Sequence, residues 1–351
     1  MAYEVYFQFI KIITHALLSF ILSLLLVPLY LKLAFIFRLG DKFADEERVK
    51  RAPIASAIFK EKENVPTMGG IIIWLPPIFL ALFFYFLKIQ FGGFFEYLNF
   101  LERRETYLPL FALFLGGVLG ILDDILRRLR FRIKLGIKEK LLIYSGLGIF
   151  FAWWFLVKLN YKFIELIDFR FYVEYFLFLL IFIFIFLAVT LSFNEIDGLD
   201  GLFAGTAISA ILFFLFVSLI EEKYNLASYL SALLGSLTLY LWFNSYPALF
   251  FDGDNGSFSV GSSLAIISFL TGTYFLWPFI GISLVAESGS VILQVFSKKF
   301  FKRKIFLSSP IHNHFKALGM KEPKIVIRFW ILNSVGVLIG LLIYLFLKSF
   351  G

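Results

Sequence analysis

Residues 175–193 read YFLFLLIFIFIFLAVTLSF, residues 194–201 read NEIDGLDG, and residues 202–220 read LFAGTAISAILFFLFVSLI. Each outer segment is long enough to cross the hydrocarbon of a bilayer, which takes roughly 17 to 25 mostly apolar residues. Backbone N–H and C=O groups find no water at that depth, so the conformation such a run adopts is a helix. Carboxylates placed this close to hydrocarbon are costly unless they face water, a cation or a substrate, and therefore mark a functional site.

The same pattern recurs along the 351 residues. The chain is 60% hydrophobic and only 17% charged, with a mean hydropathy of +0.87, against roughly 25% charge in an ordinary soluble domain. Membrane-length apolar runs fall at 14–37, 67–88, 107–126, 141–157, 175–193, 201–220, 226–243, 256–276, 278–297 and 326–347. The first continues without a small-residue cleavage site and reads as a span, not a signal peptide. Cysteine is absent, which excludes disulfides and thiolate metal sites. The expected fold is all-α: one polytopic transmembrane domain over 1–351 with about ten helices.

An even number of spans puts both termini on one side. Loops 38–66, 127–140 and 298–325 hold 22 of the 33 Lys and Arg, so the positive-inside rule makes them cytoplasmic and places both termini outside. The net charge of +8 is then mostly topology, and no basic soluble module for nucleic acid is present.

This orientation brings the polar motifs to one face. Asp123 and Asp124 end the third run, Asn194, Asp197 and Asp200 follow the fifth, and Asn244, Asp252 and Asp254 follow the seventh. Carboxylate oxygens are hard donors suited to Mg²⁺, which binds one or two protein carboxylates and fills its remaining positions with water and substrate phosphate. Gly198, Gly201, Gly253 and Gly256 interleave the acids and let backbone approach a ligand closely. Lys62, Arg127, Arg128 and Lys304 lie near the same face, able to receive anionic substrate or lipid headgroups. In the last basic loop, a spacing of two puts His312 and His314 on one side of an extended segment, suited to a phosphate, a nucleobase or one metal. His15, near the outer end of the first run, reads as structural.

Asn194-x-x-Asp197-Gly-x-Asp200-Gly-Leu202 resembles the signature of polyprenyl-phosphate N-acetylhexosamine-1-phosphate transferases, as does the Asp123–Asp124 pair after a Gly-rich span. Five segments narrow the resemblance to the phospho-N-acetylmuramoyl-pentapeptide transferases: Pro66-Thr-Met-Gly-Gly70, Leu241-Trp-Phe-Asn-Ser-Tyr-Pro-Ala248, Glu287-Ser-Gly-Ser-Val-Ile-Leu-Gln294, Pro310-Ile-His-Asn-His314 and Glu322-Pro-Lys-Ile-Val-Ile-Arg-Phe-Trp330. It runs from about Lys62 to Trp330, and the ten-span layout also resembles this family.

The resemblance implies transfer of phospho-MurNAc-pentapeptide from UDP-MurNAc-pentapeptide to undecaprenyl phosphate with Mg²⁺, giving lipid I and UMP for peptidoglycan synthesis. It implies a bacterial inner-membrane enzyme with its site facing the cytoplasm, and a homodimer. Asp254 is implied as the magnesium ligand. Asp123 and Asp124 match an acidic pair that deprotonates and positions the lipid phosphate or supplies a nucleophile. Lys62, Asp197, Asp200 and Asn244 match nucleotide-site positions, Phe251 an aromatic that stacks on uracil, and Thr67, Asn194, Gly198, His312 and His314 complete the substrate-binding set.

Three departures stand out. Asp252 replaces the family's Met and adds a negative charge beside Asp254, Asn313 replaces the middle of three histidines, and Lys316 replaces a Glu. Asn313 cannot carry a proton as imidazole does. The Asp motifs alone also fit transfer of GlcNAc-1-phosphate or a related sugar phosphate. An ion-coupled transporter would place its acids near the midplane of repeated halves, whereas these acids sit at span ends.

Overall fold

The structure, a computed structural model, describes residues 2–40, 65–128, 136–161, 163–166, 169–172 and 174–350. Helix α1 spans Ala2–Ile36, α2 Ile71–Phe91, the short α3 Phe94–Leu98, α4 Tyr107–Arg128 and α5 Ile137–Lys158. A small antiparallel hairpin follows, β1 Phe163–Leu166 and β2 Phe169–Tyr172, with Phe163 opposite Tyr172. Then come α6 Tyr175–Ile196, α7 Leu202–Ile220, α8 Tyr224–Asn244, α9 Asp254–Leu270, α10 Trp277–Ile280, α11 Ile282–Phe300, α12 Ile311–Ala317 and α13 Glu322–Lys348. The membrane part is all-α, as expected, and the hairpin occupies a connection whose alternating residues the apolar-run count passes over.

Each of the ten runs is answered by a helix, but the number of spans is smaller. Among the described residues eight helices have the length and hydropathy to cross a membrane, and the segment Tyr274–Ile280 with α11, bent by 86°, counts as a ninth if the pair is one span. The run at 256–276 is the exception. Its helix α9 has 17 residues and measures about 25 Å at 1.5 Å per residue, short of the ~30 Å hydrocarbon core. It needs no contact with lipid, because sixteen of its residues, Asp254 to Phe269, are buried.

Helix α9 is the axis of the bundle, packed by α4, α6, α2 and α7. Its many Ser and Gly residues suit that position, because hydrocarbon tails are as apolar as Leu and membrane helices associate through close backbone approach. Gly116 and Gly120 on α4 provide it: a Cβ on Gly116 would lie 2.6 Å from Phe258 O, and one on Gly120 2.3 Å from Asn255 Cα. Ser259 and Ser268 satisfy their hydroxyls on carbonyls three residues earlier, at 2.7 Å each.

Helix α11 is amphipathic in the opposite sense to a soluble helix. Ser283, Glu287, Ser290, Gln294 and Ser297 point inward, while Val285, Ile292, Leu293 and Phe296 are exposed. Its apolar face suits lipid, and its polar face turns toward the signature loop. On the opposite end of the bundle, Lys11 on α1 donates to Asn99 O at 2.9 Å and Asn225 Oδ1 at 2.8 Å, tying α1 to α8. His15 is buried against Phe84 and Phe100 and accounts for itself structurally.

Candidate active site

Chain reversals at one end of the bundle bring four polar groupings around residues 194–201. The first joins α4, α5, α6 and α9. Gly253 has φ +72° and a Cβ there would lie 2.6 Å from Asp124 Oδ2, so glycine both permits the turn and admits the carboxylate. Asp254 then opens α9, where the helix dipole favours negative charge. Its Oδ1 accepts from Asn194 Nδ2 at 3.1 Å, and its Oδ2 is ion-paired with Lys140. Lys140 Nζ also lies 2.9 Å from Asp123 Oδ2. Asp124 accepts from Asn255 Nδ2 at 3.2 Å and from the Asp254 backbone N–H at 3.4 Å. Three carboxylates from two helices are thus held together in a largely buried setting.

The second grouping lies one turn away. Asp252 is fully buried and its Oδ1 accepts from Tyr240 OH at 3.1 Å. Burial, and then the neighbouring Asp197 carboxylate, push its pKa well above the usual carboxylate range. Burial and the Asp197 carboxylate both disfavour the negative charge that the sequence places beside Asp254.

The third grouping fixes the loop itself. Asp200 Oδ2 accepts from Ala248 N at 3.0 Å, and Asp200 N donates to Glu322 Oε1 at 2.8 Å. Asn244 accepts from Gly201 N at 2.9 Å and donates to Phe250 O at 3.0 Å. Both side chains thereby join the loop after α6 to the loop after α8. The Lys316 departure belongs here: its ammonium holds Glu322 Oε2 at 2.8 Å, steadying the carboxylate that anchors Asp200.

The fourth grouping involves the histidines. His312 is buried, its Nδ1 2.9 Å from Glu287 Oε2 on α11. A Cβ on Gly198 would lie 2.3 Å from His312 Nε2, so glycine lets the imidazole rest on the signature loop. His314 faces elsewhere. Its Nδ1 accepts from Leu307 N at 3.2 Å and its ring meets Phe306. The segment is the helix α12 rather than extended, and at 3.6 residues per turn a spacing of two separates side chains by about 200°. The shared-ligand expectation for the pair is thereby overturned. Asn313 is buried beside them.

Phe251 pairs through its backbone with Pro66 and Gly69, the residues that flank Thr67 and Met68. Phe251 N donates to Pro66 O and Gly69 N to Phe251 O, both at 2.8 Å, and Tyr30 OH donates to Thr67 O at 2.8 Å. Phe251 is half-buried beside this ladder. Lys62 lies outside the described residues, as do the side chains of Arg127 and Arg128; Lys304 is exposed.

Asp123 Oδ2 and Asp254 Oδ2 converge on one cationic centre, the Lys140 ammonium. That donor set fits Mg²⁺, a hard ion that takes one or two protein carboxylates and completes its shell elsewhere. Among the described residues no group of three or more His, Asp or Glu side chains is placed to hold a metal ion. Lys140, Glu287, Asn255 and Glu322 are site residues that motif reading missed. Lys140 was hidden inside a basic segment accounted for by topology. Glu287 and Glu322 lie within matched segments and become interpretable only through the partners they reach.

Residues 107–272 match the model of the family described as Glycosyl transferase family 4. The chain is 32% identical over 346 residues to the phospho-N-acetylmuramoyl-pentapeptide-transferase of Caldanaerobacter subterraneus subsp. tengcongensis, covering 94% of this chain and 98% of the relative. It is 31% identical over 340 residues to the protein of the same name from a Thermoanaerobacter species, with the same coverage, and 30% identical over 336 residues to that of Listeria monocytogenes, covering 93% and 96%. With this identity sustained over nearly the full length of both chains, the protein belongs to the phospho-N-acetylmuramoyl-pentapeptide transferase family.

Proposed function

We propose that the protein transfers phospho-MurNAc-pentapeptide from UDP-MurNAc-pentapeptide to undecaprenyl phosphate, releasing UMP and forming lipid I. The observation that carries the reading is the convergence of Asp123, Asp124 and Asp254 from α4 and α9 at the loop that bears the family signature. Two anionic substrates must meet there, one soluble and one anchored in the bilayer, which accounts for acids at helix ends and not at mid-membrane.

A phosphate oxygen of the lipid attacks the sugar-bearing phosphorus of the donor, the bridging P–O bond breaks, and UMP leaves with the bond's electrons. Asp254 with Asp123 would hold Mg²⁺, which offsets phosphate repulsion and polarises the pyrophosphate. Asp123 and Asp124 take the acceptor's proton and aim its phosphate. A phosphate is already nucleophilic, so no covalent phospho-enzyme is needed. Asn194 orients Asp254. Asp197, Gly198 and the Pro66–Gly69 segment paired with Phe251 form the nucleotide side, Phe251 offering its ring to uracil and His312 its Nε2 to a polar group of the donor; Lys62 is assigned to the nucleotide by the family motif alone. Asp200 and Asn244 hold the loop that carries them. His314 serves the neighbouring loop at 301–307.

The positive charge of the loops at this end supports a site that faces the cytoplasm, in a bacterial cytoplasmic membrane. Purified protein given Mg²⁺ and undecaprenyl phosphate is expected to release UMP from UDP-MurNAc-pentapeptide. Release from UDP-GlcNAc alone would instead assign a different sugar donor.

A further inference from the structure

Lys140 has no part in the transfer described above, yet it occupies the point on which the acids converge. Its ammonium lies 2.9 Å from Asp123 Oδ2 on α4 and is paired with Asp254 Oδ2 on α9. The side chain is only 15% exposed, and the ammonium sits 4.9 Å from the centre of the Phe258 ring, a cation–π contact that holds it in place. Without this charge, Asp123, Asp124 and Asp254 would repel one another at low effective dielectric. Lys140 is thus the internal counter-cation of the cluster. The two oxygens it engages are also the hard donors best placed for a divalent ion. An ammonium and a divalent ion held at contact on the same two oxygens repel each other strongly at low effective dielectric, so the entry of one favours the departure of the other.

We propose that Lys140 is an exchangeable placeholder: it neutralises Asp123 and Asp254 in the substrate-free enzyme and gives up both carboxylates when a divalent cation binds. The inference rests on Asp254 as the metal ligand. It predicts that the metal competes with a built-in cation, so that intrinsic metal affinity is held down and Lys140 swings free as the metal enters.

The test uses full-chain protein and Mn²⁺ alone, with no donor or acceptor. Mn²⁺ binding is read by loss of the free-ion EPR signal, for wild type, Lys140→Met and Asp254→Asn. Lys140→Met, which keeps the stem packed on Phe258 and removes the charge, is expected to bind Mn²⁺ at least tenfold more tightly than wild type. A second measurement follows Lys140 in the wild-type protein, by amine-specific labelling and mass spectrometry. Mn²⁺ is expected to raise its labelling at least threefold over EDTA, and to leave it unchanged in Asp254→Asn. Equal or weaker Mn²⁺ binding by Lys140→Met, or labelling that Mn²⁺ leaves unchanged or lowers in wild type, overturns the proposal. If Lys140→Met does not fold, the wild-type labelling decides alone. Undiminished Mn²⁺ binding by Asp254→Asn would overturn the metal assignment itself, whereas loss there without tightening in Lys140→Met overturns only the placeholder. Neither readout depends on the identity of the sugar donor.

Discussion

Replacing Gly120 by Ala perturbs the site without touching a polar group. The added Cβ would sit 2.3 Å from Asn255 Cα and 2.5 Å from Asn255 N, while carbon atoms pack at about 3.5–4.0 Å. Both obstacles are backbone of α9, so no rotamer change relieves the clash and α4 must retreat by roughly 1 Å. Asp124 reaches α9 through contacts of 3.2 and 3.4 Å, and a shift of that size breaks both. Overpacking of this kind costs about 1–3 kcal/mol of stability, and a 1 Å misplacement of reacting groups can cost ~100-fold in rate. The assay is UMP release under saturating substrates, with thermal unfolding in the same detergent. Gly289→Ala is the control, because a Cβ there meets nothing within 4 Å. A Gly120→Ala protein with wild-type kcat and unchanged unfolding temperature would refute the claim that α4–α9 contact sets the spacing of the acids.

Four further outcomes are expected. Asp254→Asn abolishes turnover, whereas Asp252→Asn, at a fully buried carboxyl whose surroundings disfavour charge, keeps kcat within about threefold; equal damage from both would contradict the division of roles between them. Gly198→Ala displaces His312 from the signature loop and raises KM for the nucleotide about tenfold or more, as one displaced contact of ~1.4 kcal/mol implies, with KM for the lipid unchanged. Burial would raise the pKa of Glu221, but Tyr344 OH at 2.5 Å and Lys348 at 2.9 Å outweigh it and hold it below its ordinary 4.5. Its contribution to stability is therefore present above 4.5 and fades as pH falls through the folded value, so the unfolding-temperature gap between wild type and Glu221→Gln narrows from pH 7 to pH 4. Single cysteines at Lys302 and Glu96, labelled from each side of the membrane, report inside and outside respectively; the reverse would invert the orientation.

The apolar runs sufficed to place ten helices, because hydrocarbon leaves the backbone no other satisfied conformation. They did not separate the spanning helices from α9, whose run is long enough to be counted with them but whose Ser and Gly residues belong to a protein-lined axis. The acids were legible for a related reason, since charge at the end of a span is rarely accidental. What their sequence positions could not supply was the local dielectric: Asp252 and Asp254 stand two residues apart, yet one is sealed against Tyr240 while the other opens a helix beside Lys140. His312 and His314 show the same limit, because their geometry depends on whether five residues form a turn of helix. Lys140 carried no signal of its own, and Glu287 only its place in a matched segment; both gain roles from partners distant in the chain.

The central claim is that phosphate moves with the sugar. It is tested most directly by donor labelled with ³²P at the sugar-bearing phosphate, incubated with the purified protein, Mg²⁺ and undecaprenyl phosphate. The account predicts label in the extracted lipid and unlabelled UMP in the aqueous phase. Label retained in the aqueous phase as UDP would show transfer of the sugar alone and contradict it.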